Sequence, residues 1–263
     1  MATTYPNFEP AGVRSDPPVT GMATAMALLV VMAFSTQWLL GRSTFHSPWL
    51  THLHAVTFMG WVAIFLVQTT LGARRHMALH RKLGWFSVAW MALMVVMGFV
   101  VTIVMVRKGT TPFFFLPQHF LIFDPLNVLA FAGLSGAAIG MRRRTDWHAR
   151  LHLSAMALLM GPAFGRLLPL PLLQPYAYES AAAACALFPI AGMAVDYRRS
   201  RAVHPAWWVG LAVLAAMVVV GNAITRSPLG DALYRQATAG SPGAAKPGLV
   251  FAPPPPGPLM TGR

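Results

Sequence analysis

The sequence predicts an all-α membrane bundle of seven transmembrane helices. Of its 263 residues 56% are hydrophobic and only 10% charged, with a mean hydropathy of +0.56, whereas a soluble domain carries about a quarter charged residues. About 20 apolar residues span a bilayer, and seven windows meet or approach that length, near 22–40, 54–73, 84–106, 119–140, 151–170, 180–195 and 205–224. Basic residues gather in alternate loops between these windows, which is how a multi-span chain sets its orientation.

The first window follows a polar, Pro-rich segment, residues 1–20, read as a loose tail. No basic start leads into it, so it reads as a retained span rather than a signal peptide. His54 opens the second window and Arg74-Arg75 follow it. The third follows the turn 79-LHRKLG-84, and Arg107 and Lys108 lie just past its end. His119 opens the fourth, which ends before Arg142, Arg143 and Arg144. The fifth follows His148 and contains 160-MGPAFGR-166, where Gly and Pro should kink it beside Arg166. The sixth is the weakest, because it is short and contains Pro189; its lone Cys185 reads as packing. The seventh, PAWWVGLAVLAAMVVVGNAIT, has no lysine for a retinal Schiff base. The transmembrane unit is thus 21–225. In the C-terminal tail, 226–263, SPLGDALYRQATAG reads as a short interfacial helix and the Pro/Gly-rich remainder as disordered or extended.

The net charge of +13 does not indicate nucleic-acid binding, because the arginines lie in the turns. Those after the second, fourth and sixth windows place these loops in the cytoplasm of a bacterial inner membrane, with the N-terminus inside and the C-terminus outside. The bilayer is the first partner; a membrane-protein partner or a second copy of the chain remains open.

The same turns repeat a pattern. Arg74-Arg75, Arg142-Arg143 and Arg198-Arg199 are each followed after four residues by a histidine, His80, His148 and His204. Windows two to seven therefore read as three hairpins, by duplication or because tight basic turns converge on the same residues.

Ionisable groups inside a membrane face the bundle and find partners. Asp124 and Arg166 are expected at similar depth in the outer half, as an ion pair with Glu179 competing, in an outward polar pocket with His54 and His119. Four histidines sort by leaflet: His54 and His119 outer, His80 and His148 or His152 inner. A haem b in a helical bundle takes two imidazoles from different helices at one depth, and each leaflet offers such a pair. A transition metal on His54, His119, Asp124 and Glu179 is the alternative to haem, as a facial site. No P-loop or nucleophile elbow is present, and 148-HARLH-152 lacks the glutamate of a zinc hydrolase.

This histidine layout resembles the ascorbate-reducible transmembrane b-type cytochromes, which pair histidines of their second with fourth and third with fifth helices. Residues 50–225 also resemble an uncharacterised bacterial family of multi-pass membrane proteins, through 79-LHRKLG-84, 161-GPAFGRL-167 and 203-VHPAWW-208. That second resemblance implies topology and no ligand. Three functions are consistent with the sequence: membrane electron transfer through haem or metal, a non-enzymatic assembly partner of a membrane complex, and a small transporter or sensor using the outer pocket.

Overall fold

A computed structural model describes residues 17–43 and 45–254. Among them the chain is all-α, with no strand. Six helices are long and apolar enough to cross a membrane: α1 (Pro17–Leu39), α2 (Trp49–Ala73), α3 (Met77–Lys108), α4 (Pro117–Gly140), α7 (Ala177–Ser200) and α8 (Pro205–Thr225). Large apolar side chains such as Leu28, Val56, Val96, Leu129 and Val219 stand exposed on these helices. In water so much exposed apolar surface would be a liability; in lipid it is the expected exterior. The chain is a multi-pass membrane protein.

The fifth window is where sequence and structure part. It is not one long helix but two, α5 (Thr145–Leu158) and α6 (Gly161–Leu167). The break falls at Leu159-Met160, ahead of Pro162, which has no N–H to carry the helix on. The Leu158 carbonyl at the break accepts a 3.1 Å bond from Asn127 Nδ2 of α4, so the neighbouring helix satisfies a backbone group that apolar surroundings would leave bare. The sixth window, expected as the weakest, is a 24-residue helix that runs through Pro189.

The core gathers side chains from α1, α2, α3, α4, α5, α7 and α8. Met26, Phe131, Leu153 and Met156 fill it almost without exposure. Small residues let the helices approach, as is usual in membranes. A Cβ on Gly192 of α7 would collide with the Trp207 ring of α8, and one on Gly210 of α8 with Ser154 of α5.

The C-terminal segment is better fixed than its composition indicates. Helix α9 (Pro228–Thr238) forms where a short helix was expected, with Ser227 capping its first turn. Residues 239–254 then turn back over the ends of α3 and α4. Arg107 Nη1 donates to the Ala237 and Ala239 carbonyls at 2.8 and 3.2 Å. The Gln118 N–H donates to Gly248 O at 2.9 Å. This segment closes the bundle at the end opposite the arginine-rich loops.

Candidate functional site

The two ends of the bundle hold similar residues in different arrangements. At the end bearing the arginine pairs, a cavity of about 1590 Å³ opens between the helices. Its apolar lining includes Trp61, Phe65, Val88, Met91 and Leu153. His80, His148 and His152 also line it, and Arg75, Arg143 and Arg144 belong to the same lining in the basic turns.

His80 sits in the first turn of α3, and its ring centre is 6.2 Å from that of His148 in the first turn of α5, with ring planes at 77°. Each Nδ1 meets a backbone carbonyl on a third helix: His80 to Gln68 O of α2 at 3.2 Å, His148 to Ala138 O of α4 at 2.8 Å. A carbonyl only accepts, so Nδ1 is the donor in both rings. His152, one turn deeper, stands edge-on to His148 at 4.7 Å. The inner pair expected from sequence is therefore in contact.

Behind this wall a polar network ties α5, α7 and α8 together. Arg150 grips Asp196 with two bonds, Nε to Oδ2 at 2.9 Å and Nη2 to Oδ1 at 2.7 Å. Asp196 Oδ2 also accepts from Trp207 Nε1 at 2.8 Å and from the His204 N–H at 3.3 Å. His204, the histidine after the third arginine pair, is buried at 2% exposure. Its Nδ1 caps α8 by accepting from the Ala206 N–H at 3.1 Å, and its Nε2 lies 2.9 Å from Asp146 Oδ2. Burial holds the His204 imidazole below its usual pKa, with Asp146 pulling the other way. Sequence reasoning missed Asp196 altogether. The signal was there: it is an acid near the end of an apolar helix, just ahead of an arginine pair.

At the opposite end the expected Asp124–Arg166 ion pair is not formed. Asp124 Oδ1 accepts from the Tyr178 hydroxyl at 3.1 Å. The Arg166 guanidinium lies 3.9 Å over the Phe34 ring and donates to Pro162 O at 2.8 Å. The competing acid, Glu179, accepts instead from Asn222 Nδ2 at 2.8 Å. The reason is physical: a phenol satisfies a buried carboxyl without a second desolvated charge, and an aromatic face takes a guanidinium.

His54 and His119 also part company. The His54 ring lies 4.3 Å from that of Phe58, the planes tilted by 33°. His119 packs edge-on against Phe123 and Tyr178, at 4.1 and 4.9 Å. Among the described residues no group of three or more His, Cys, Asp or Glu is placed to hold a metal ion, so His54, His119, Asp124 and Glu179 do not gather as a facial site.

No protein-family model, curated protein or solved structure matches the chain.

Proposed function

We propose that this membrane protein binds one haem b in the cavity at the arginine-rich end, through His80 and His148, and serves electron transfer. The observation that carries the reading is the pair itself. His80 and His148 would hold the group: both rings line the cavity and their centres stand 6.2 Å apart. Metal-ligating histidines almost always donate their second ring N–H to a carbonyl or carboxylate, which fixes ring and tautomer. Both rings have that carbonyl.

The lining also suits the group. Its apolar side chains match a macrocycle, and Arg75 and Arg143 in the adjoining turns match two propionates. A bound haem would supply a one-electron couple. The chain's own residues orient the ligating rings, keep water from the ring faces and hold the anionic edge.

Seven crossings complete the reading, with α5 and α6 as one broken span. Its support is at the two ends of the pair. Arg150 of α5 binds Asp196 beside the basic turns, while Arg166 O at the end of α6 accepts from Gln37 near the far end of α1 at 2.8 Å. The basic turns then face the cytoplasm of a bacterial inner membrane.

Purification in mild detergent from haem-replete cells, with oxidised and dithionite-reduced spectra and iron analysis, tests the proposal. A sharp reduced-minus-oxidised band with near one iron per chain is expected. A colourless, iron-free protein overturns it.

A further inference from the structure

Among the described residues, two that are not glycine hold a left-handed backbone: Arg75, with φ 59°, and Arg201, with φ 55°. Both are arginines, and both lie in basic turns. Arg201 ends α7, its N–H donating to Tyr197 O at 2.9 Å. Helices usually place glycine at such a position, because a Cβ is disfavoured there. Orientation in a membrane requires positive charge somewhere in the loop, and Arg198 and Arg199 already supply it from the last turn of α7. An arginine kept in a strained position is kept for where its guanidinium stands.

Arg201 stands at the foot of one face of α7. Leu187, Ile190, Ala194, Tyr197 and Arg201 recur every three or four residues, so they share that face, and all of them are exposed. Arg198, also exposed, adjoins them one turn past Ala194. The opposite face, with Cys185, Gly192 and Asp196, is buried in the bundle. The exposed face is thus apolar at Leu187 and Ile190, aromatic at Tyr197 and cationic at its end. From Ile190 to Arg201 it runs about 16 Å, close to the roughly 15 Å of one hydrocarbon leaflet. The Arg201 guanidinium lies 5.8 Å from the centre of the Tyr197 ring, and a tyrosine at the headgroup level suits that place. Asp196, the acid nearest in sequence, faces inward on Arg150, so from Leu187 to Arg201 this face carries no negative charge.

We infer that this face binds an anionic phospholipid, its phosphate between Arg198 and Arg201 and one acyl chain along Ile190 and Leu187. Guanidinium groups pair with phosphate through charge-assisted hydrogen bonds. Two cations with no acid beside them favour a headgroup that lacks an ammonium. A second copy of the chain fits less well, because in one membrane it would bring the same arginines to the same level. A free phosphate would engage the arginines alone. The site is separate from the haem proposed above: Leu187, Ile190, Tyr197, Arg198 and Arg201 lie outside the cavity lining, so the inference does not rest on that haem.

The test is native mass spectrometry of the full-length protein in mild detergent, stripped of co-purified lipid. It is titrated with dioleoylphosphatidylglycerol, dioleoylphosphatidylcholine or inorganic phosphate. The phosphatidylglycerol adduct is expected to form at the lowest concentration. Arg198→Gln and Arg201→Gly should each weaken it about fivefold. Arg235→Gln, which removes an exposed charge from α9 at the opposite end, should leave it unchanged. Glycine suits the left-handed backbone at 201, so Arg201→Gly should keep its unfolding temperature while losing lipid, which assigns the arginine to binding rather than to the fold. Arg198→Gln leaves the turn untouched and carries the test independently. Equal affinity for phosphatidylcholine, wild-type affinity in both variants, or displacement of the lipid by millimolar inorganic phosphate would overturn the inference.

Discussion

The arginine-rich end and the opposite end of this bundle both carry histidines, acids, aromatics and arginines, yet they arrange them differently: at the arginine-rich end two histidine rings meet beside a cavity. His80 and His148 each have a carbonyl behind and a cavity in front. His54 and His119 have aromatic rings against them, and α9 with the segment after it packs over that end of the bundle. The difference is not which residue types are present. It lies in what holds the second nitrogen of each ring, and that is a property of the neighbouring helix.

Breaking the lock behind the histidine wall should have the largest effect on stability. Asp196→Ala leaves Arg150 without its carboxylate in a site where the two side chains are 15% and 10% exposed. Removing one partner of a buried pair costs about 3–5 kcal/mol. Thermal unfolding in detergent should show a large drop, together with loss of bound haem, since α5 carries His148. An unchanged unfolding temperature would mean that the network does not hold α5 in place.

A change at the other end should be smaller and should leave the ligand untouched. Tyr178→Phe removes the one hydrogen bond that Asp124 Oδ1 receives, at about 1–3 kcal/mol. Haem content and the reduced spectrum should match wild type. If haem fell along with stability, the two ends would not be independent and the contrast between them would fail.

The smallest effect is acid sensitivity. Burial keeps the His204 pKa low in the fold, so the unfolded chain binds the proton more readily. This contribution to stability is complete above the unfolded value of about 6.5 and declines as pH falls through and below it. Unfolding midpoints measured from pH 8 to pH 5 should decrease, and by less in His204→Gln. Equal slopes would assign the acid sensitivity to other groups.

Much of this was legible in the sequence because it derives from period and charge. Six of the seven apolar windows located the long apolar helices, and the arginine pairs marked one end. Sorting histidines by depth grouped His80 with His148 or His152, and the rings of His80 and His148 are in contact. The Asp124–Arg166 pair does not form because depth alone does not decide partners: Asp124 found a phenol, and nothing in the spacing pointed to Tyr178. The C-terminal segment was misjudged for a related reason. Pro and Gly argue against regular structure, not against fixed contacts, and Gly243 fits closely against the Val106 carbonyl where any Cβ would collide.

The most direct measurement is haem stoichiometry in two double variants made in parallel. His80→Ala/His148→Ala should purify folded and without the reduced haem band, while His54→Ala/His119→Ala should keep it at the wild-type ratio of iron to chain. Loss in the second with retention in the first would contradict the account, by moving the ligands to the opposite end of the bundle.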